Sequence, residues 1–225
     1  MVQLLLIFQF SFFNSILSPE LVEFQNFDSY DLCEPTQKQK ILQTGDFLFL
    51  DLDCGPLCDA IESVTQSFGG AHFSHVGLVY LHHDSVFVIE AIGNSVRLTH
   101  LPAFLKYSKK PAILGRPKNQ KLVPNAIAFS LSQLGVPYDD QFIYNNGKYY
   151  CSELLYDAFK TANGGKPIFS LQPMTYKKVG TNQFDSAWVA YFKNLGIEIP
   201  EGKPGCNPGG ISLSENLEIF GKYPE

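Results

Sequence analysis

Cys151 is the residue best placed for nucleophilic chemistry, because it stands at the start of a predicted helix. An apolar face follows it at helical spacing, made of Leu154, Leu155, Ala158 and Phe159. Asn163 and a glycine pair predict that the helix ends at about Ala162. The unpaired N–H groups and the positive dipole end of a helix N-terminus favour a thiolate. A buried structural cysteine is the alternative that the helix alone leaves open.

His75 and Glu90 are predicted to lie on neighbouring strands of one hairpin. The strand-like runs 73–80 and 86–91 flank a turn that contains His82 and His83. Glu90 is the single carboxylate in its apolar run, and a buried charge there is costly without a partner. We therefore expect Glu90 to orient the His75 ring, which gives the second half of a Cys–His–acid arrangement. The remaining histidines, His72, His82, His83 and His100, are predicted in turns and connections.

The other cysteines allow two further interpretations. Cys54 and Cys58, followed by His72 and His75, resemble the ligand spacing of a zinc site. Residues three apart on a strand point to opposite faces, however, so we expect no metal and no cofactor. If the protein is exported, disulfides can form among Cys33, Cys54, Cys58 and Cys206 and leave Cys151 free. The sequence leaves their pairing open.

A family resemblance rests on several short motifs in a fixed order. They are Gly45-Asp46-Phe47-Leu48-Phe49, Phe73-Ser74-His75-Val76-Gly77-Leu78-Val79, Val88-Ile89-Glu90-Ala91, Gly135-Val136-Pro137-Tyr138-Asp139-Asp140 and Tyr150-Cys151-Ser152-Glu153-Leu154, with a similar closing segment at 204–212. Over about 43–223 the chain resembles the YiiX-like family, a circularly permuted branch of the NlpC-type papain-like cysteine hydrolases. In that branch the cysteine helix follows the histidine strand.

The resemblance implies a role for four residues. Cys151 would be the nucleophile, His75 the base, and Glu90 the residue that orients the imidazole. Tyr138 would be a pocket residue near the cysteine that can assist the oxyanion. The implied fold class is α+β, with an antiparallel, partly closed sheet packed against the cysteine-bearing helix.

The predicted organisation has one catalytic domain with a separate N-terminal segment. Residues 43–163 form the predicted catalytic core, and 164–225 a turn-rich extension that wraps the same domain. The apolar run 2–13, with Ser18 soon after it, predicts a signal peptide over 1–18 and an exported protein, periplasmic or extracellular. The first basic residue is Lys38, so the usual positive flank is missing, and a buried strand or helix is the alternative. Residues 19–42 would form a lead-in.

The net charge of the chain argues against some classes of partner. The formal net charge is −5 and no basic cluster is interleaved with aromatic residues, which argues against a nucleic-acid partner. The favoured function is a cysteine amidase or endopeptidase that acts on short peptides, such as those of the cell wall, or on other acyl-amides. The alternatives are a lipid-directed acyltransferase or thioesterase similar to lecithin–retinol acyltransferase, which would contact a membrane, and a non-catalytic binding module. The sequence does not predict the oligomeric state.

Overall fold

A six-stranded antiparallel sheet forms the centre of the structure, a computed structural model in which residues 42–224 are described. The spatial order of its strands is β4-β3-β2-β1-β5-β8. The strands are β1 (Phe47–Leu50), β2 (His75–His82), β3 (Ser85–Ile92), β4 (Ser95–His100), β5 (Ala112–Pro117) and β8 (Leu217–Tyr223). A separate two-stranded ribbon pairs β6 (Gln172–Pro173) with β7 (Pro204–Gly205).

Within residues 42–224, six α-helices accompany the sheet. They are α1 (Pro56–Ser63), α2 (Leu101–Leu105), α3 (Val123–Ser132), α4 (Cys151–Ala162), α5 (Ser186–Leu195) and α6 (Pro208–Ser212). Short 3-10 turns lie at Phe68–Gly70 and Gln120–Leu122. The side chain of Asp185 caps the start of α5, and Gly196 ends that helix in the left-handed conformation, so this helix follows the usual sequence signals for both ends.

The two faces of the sheet carry separate hydrophobic clusters. Successive side chains of a strand point to opposite faces. Phe47 and Phe49 of β1 therefore pack with the buried side of α4, whereas Leu48 and Leu50 pack with α2. This antiparallel sheet with a cysteine-bearing helix packed against it confirms the predicted α+β class.

Most predicted elements are present, with some corrections to their bounds. The predicted hairpin is β2–β3, and the predicted cysteine helix is α4. Residues 58–68 have a helical pattern in the sequence, but the helix α1 starts at Pro56, since proline suits the first helical position, and it ends at Ser63. His100 is the last residue of β4, so its placement in a connection was wrong. The edge strand β8 was not predicted, and it pairs with β5 across an irregular register.

The N-terminal predictions fall outside the described part of the chain. The proposed signal segment 1–18 and nearly all of the lead-in 19–42 belong to residues about which the structure gives no description. The described residues lie within one compact unit. Among these residues, no helix has both the length and the apolar character that a membrane crossing requires.

Gly77 allows β2 to lie close against its neighbours near the histidine. A Cβ atom there would stand 2.3 Å from Val88 Cγ1 and 3.1 Å from Phe104 Cε2, and the ring of Phe104 lies 5.8 Å from that of His75. We expect Gly77→Ala to lower the free energy of unfolding in urea by about 1–3 kcal/mol through overpacking.

The matched control for this prediction is Gly210→Ala. Its Cβ would meet nothing closer than Asn207 at 3.3 Å, so we expect a change within about 0.5 kcal/mol. Equal, small effects of the two substitutions would contradict the close packing at Gly77.

Candidate active site

Cys151 is the first residue of α4, as predicted. Tyr150 precedes it in an extended conformation and provides no side-chain cap, so the first N–H groups of the helix are directed past the cysteine. The apolar residues that follow bury the rest of the helix against the sheet. Cys151 itself is 6% exposed and lines a cavity. This placement suits a thiolate, since the helix N-terminus favours negative charge.

His75 contacts both other residues of the predicted arrangement. Its Nε2 atom lies 2.6 Å from Oε2 of Glu90, and both side chains are buried. The thiol of Cys151 also lies near enough to the His75 ring to favour its protonated form. Since Nε2 faces Glu90, Nδ1 is the nitrogen that remains for the thiol. The structure thus brings Cys151, His75 and Glu90 together in the order that the sequence suggested.

The carboxylate of Glu90 has three further partners that the sequence analysis did not identify. Thr99 and Tyr107 donate hydrogen bonds to Oε1, the second at 3.3 Å, and Arg97 Nε lies 3.6 Å from the same oxygen. Glu90 pairs with Arg97 across β3 and β4, so a register prediction for this hairpin would have found the arginine. Tyr107 follows α2, and no local pattern in the sequence indicates its contact.

The charged forms of His75 and Glu90 stabilise each other. Burial opposes ionisation of His75, but the interactions of its protonated ring with Cys151 and Glu90 outweigh burial and raise the pKa of His75 to about 9. Burial also opposes ionisation of Glu90, yet the contact with His75 and the hydrogen bond from Thr99 leave its pKa lowered. The imidazolium and the carboxylate are therefore the stable forms at neutral pH.

Tyr138 lies beside the cysteine, where the resemblance had placed a pocket residue. It lines the same cavity as Cys151, and its loop is fixed by a bridge to Tyr149 and by a hydrogen bond from its N–H to the Asn94 carbonyl. Burial, together with the nearby thiol, raises the pKa of Tyr138 well above its ordinary value. Its phenol therefore keeps its proton and can act as a hydrogen-bond donor.

The cavity next to Cys151 has a volume of about 190 Å³. Aromatic and aliphatic side chains form much of its wall, among them Ile61, Tyr138, Phe142, Met174, Tyr176 and Trp188. Phe142 and Tyr176 both pack edge-on against Trp188, with ring centroids 5.6 Å and 5.0 Å away. Such arrangements are favourable beyond simple burial, so this wall is preformed.

The segment around Cys206 is bound to the start of the cysteine helix. Its N–H donates to the Tyr150 hydroxyl at 3.1 Å, and its carbonyl accepts from Ser152 Oγ at 3.0 Å. The Cys206 thiol is free and buried, and burial raises its pKa strongly. The open question of disulfide pairing has a partial answer: Cys54 and Cys58 are joined, while Cys33 lies outside the described residues.

Glu153 is a buried carboxyl group in the first turn of α4 that sequence reasoning missed. Its Oε1 accepts from the backbone N–H of Asn145 at 2.8 Å, and its Oε2 has no hydrogen-bond partner among the described residues. Burial, with Asp139 and Asp157 nearby, raises the pKa of Glu153 to about 8. At neutral pH it is therefore largely a neutral acid that secures the turn before Cys151.

Cys151 is expected to be the reactive thiol of the described residues. Limiting iodoacetamide at pH 7 should label it well ahead of Cys206, because only Cys151 has both a helix N-terminus and the His75 ring beside it. Peptide mapping by mass spectrometry provides the measurement. Faster labelling of Cys206, or of a reduced Cys54 or Cys58, would contradict the assignment.

Glu153 should make stability depend on pH. The folded protein keeps a proton on this group between about pH 4.5 and 8, whereas the unfolded chain releases it. The stabilisation of the folded protein by this bound proton is thus present at low pH and is lost as the pH rises towards 8. We expect the difference in melting temperature, Glu153→Gln minus the original protein, to increase by a few degrees from pH 5 to pH 8.

Thermal unfolding followed by circular dichroism at several pH values tests this, with the exposed Glu198→Gln as the matched control. A pH-independent difference for Glu153→Gln would show that the carboxyl group ionises normally in the folded state.

Comparisons with known proteins agree with this geometry. A family model described as "Permuted papain-like amidase enzyme, YaeF/YiiX, C92 family" matches residues 41–218. The chain is 28% identical over 130 residues to the uncharacterized protein YiiX of Escherichia coli strain K12, over 54% of this chain and 59% of that protein. It thus matches somewhat more than half the length of this relative.

A solved structure also resembles the chain. It is titled as the crystal structure of the metalloprotein YiiX from Escherichia coli O157:H7, with a TM-score of 0.64 and 22% identity over 80% of this chain and 97% of that one. At this identity the likeness shows the fold alone. Within residues 42–224, no three His, Cys, Asp or Glu side chains are grouped to hold a metal, and Cys54 and Cys58 form a disulfide. The described residues do not fit a metal site.

The matched residues 41–218 make up most of the chain, and they include Cys151, His75 and Glu90. The chain therefore belongs to the YaeF/YiiX family of permuted papain-like amidases, a family of papain-like cysteine hydrolases.

Proposed function

We propose that this protein is a cysteine amidase in which Cys151, His75 and Glu90 act as a catalytic triad. The observation that carries the proposal is the continuous contact from the thiol through the imidazole to the buried carboxylate, beside a preformed cavity. A nucleophile, a base and a group that orients the base are the parts that covalent acyl transfer requires.

The first half of the reaction forms a thioester. The Cys151 thiolate attacks the amide carbonyl, and the developing oxyanion accepts hydrogen bonds from the first N–H groups of α4 and from the Tyr138 hydroxyl. The His75 imidazolium then donates its Nδ1 proton to the nitrogen of the leaving amine, and the carbon–nitrogen bond breaks. Glu90 holds the ring in the required orientation through Nε2.

The second half regenerates the enzyme. Neutral His75 takes a proton from a water molecule, whose oxygen attacks the thioester carbonyl. The carboxylic acid then leaves. The protons balance, because the proton that His75 took from water restores the thiolate–imidazolium pair. The high pKa of His75 favours this resting state.

Short peptides are the substrate class we favour, with cell-wall peptides as the natural source. Such substrates lie outside the cytoplasm, so the predicted export signal over 1–18 is part of this proposal. The chain's net charge of −5 also fits a small-molecule substrate better than a polyanion.

A lipid-directed acyltransferase or thioesterase is the second candidate. The aromatic and aliphatic wall of the cavity favours it, since an acyl chain would bury apolar surface there. Against it stands the modest cavity volume of about 190 Å³. A non-catalytic binding module is the weakest candidate, because in such a protein the buried His75–Glu90 pair would have no function.

The proposal is tested by incubating the protein with peptidoglycan fragments and with an acyl-lipid panel, with mass spectrometry of the products. New amines and carboxylic acids from peptides support the amidase, whereas transfer or release of fatty acyl groups supports the second candidate. We expect activity to survive a chelator such as EDTA. Turnover that continues unchanged in Cys151→Ala would exclude the triad.

Substitutions in the triad should have strongly non-additive effects. Cys151→Ala and His75→Ala should each lower kcat/KM by at least about a thousandfold, and the double variant should lose little more. Glu90→Gln should lose less, because it keeps the shape of the side chain while its charge is removed. The measurement is steady-state kinetics on the best substrate of the panel.

The exposed His72→Ala provides the matched control for the histidine substitution and should keep full activity. Near-normal turnover of His75→Ala would require a different base.

A further inference from the structure

The wall of the cavity beside Cys151 is uncharged. None of the described residues that line it is Asp, Glu, Lys, Arg or His. The hydroxyl of Tyr176 and the indole N–H of Trp188 are shielded from solvent and have no hydrogen-bond partner among the described residues, so these two rings offer mostly carbon surface. A charged group placed here would lose its hydration without gaining a partner of opposite charge.

Two carboxylates, Asp139 and Asp140, lie near Tyr138 in this wall. The pKa of Tyr138 is raised by Asp139 and Asp140, after the larger effects of burial and Cys151. Both carboxylate oxygens of Asp139 are occupied, since they accept the N–H groups of Gln141 and Ile143. Asp139 therefore provides no free carboxylate oxygen for a cationic group at this wall.

The volume limits what can enter. A cavity of about 150 Å³ lined by aliphatic and aromatic side chains accepts benzene. The present volume of about 190 Å³ therefore suits one ring, or one branched or short aliphatic group. A long fatty acyl chain exceeds it.

The position of the cavity relative to the catalytic residues identifies the part of the substrate that it binds. Its wall includes Tyr150, Cys151 and Ser152 but not the ring of His75. The leaving amine must lie against the His75 ring in order to receive its proton. The cavity on the cysteine side is therefore available to the acyl part.

We propose that this cavity is the acyl-specificity site of the amidase, and that it selects substrates whose acyl residue carries one uncharged ring-sized or branched aliphatic side chain. Met174 and Trp188 are the specificity-determining residues, because they are large uncharged side chains that line the same cavity as Cys151. The inference rests on the amidase function proposed above. It disfavours acyl groups that carry a carboxylate, so among the cell-wall peptides proposed above it excludes amide bonds whose acyl residue is glutamyl.

The test uses N-acetyl-aminoacyl amides of aminomethylcoumarin with Phe, Leu, Glu or Lys in the acyl position, and a dodecanoyl amide. We expect kcat/KM for Phe or Leu to exceed that for Glu, Lys and dodecanoyl by about tenfold or more. Equal rates for charged and apolar residues, or a preference for the dodecanoyl amide, would overturn the inference.

A second measurement does not depend on turnover. Chloromethyl ketones of N-acetyl-Phe and N-acetyl-Glu place the same side chains in the acyl site and alkylate the cysteine irreversibly. The Phe reagent should modify Cys151 about tenfold faster or more. Cys151-dependent hydrolysis without this selectivity rejects the specificity site alone, whereas selective alkylation without any amide hydrolysis rejects the amidase function and leaves an apolar binding site.

A substitution in the wall provides the matched pair of variants. Met174→Lys places a cation at the cavity and should raise the Glu-to-Phe ratio of alkylation rates at least about tenfold, since it pairs with the carboxylate. Met174→Gln, of similar size and without charge, should leave that ratio within about threefold. Thermal unfolding of both variants verifies that they are folded, and an unchanged ratio in folded Met174→Lys would exclude Met174 from the site.

Discussion

The buried contact between His75 and Glu90 is the interaction on which the site depends. A carboxylate with no exposure to solvent is stable only with partners, and Glu90 has His75 on one oxygen and Thr99, Tyr107 and Arg97 around the other. The antiparallel register of β2, β3 and β4 brings most of these partners together. The sheet therefore fixes the orientation of the imidazole before any substrate is present.

The nucleophile depends on a different set of contacts. Ser152 and Tyr150 bind the backbone of Cys206, and Glu153 binds the backbone of Asn145. A segment that precedes α4 in the sequence and one that follows it therefore meet at the start of this helix. These bonds position the helix N-terminus without using the N–H groups that an oxyanion would need. His75 is thus fixed by the sheet, and Cys151 by loops attached to one helix.

The sequence predicted the parts of this site that have local signals. The position of Cys151 follows from helix periodicity, and the pairing of His75 with Glu90 follows from a short hairpin with one isolated carboxylate. The contacts of Tyr107 and Glu153 could not be predicted, because they join elements distant in sequence or depend on burial. The strand β8 was missed although its burial alternates along the strand, because its pairing with β5 joins segments distant in sequence.

The charged groups near Cys151 interact mainly with one another, which explains how a reactive centre can lie beside an uncharged cavity wall. The thiol, the imidazole and the carboxylate stabilise one another, as the raised pKa of His75 and the lowered pKa of Glu90 indicate. Such a self-contained set needs no further ion pair from the substrate or from the cavity wall. The wall around Met174 and Trp188 is built from uncharged side chains, and in the proposed amidase it discriminates between acyl groups by size and by charge while the reactive pair remains unchanged.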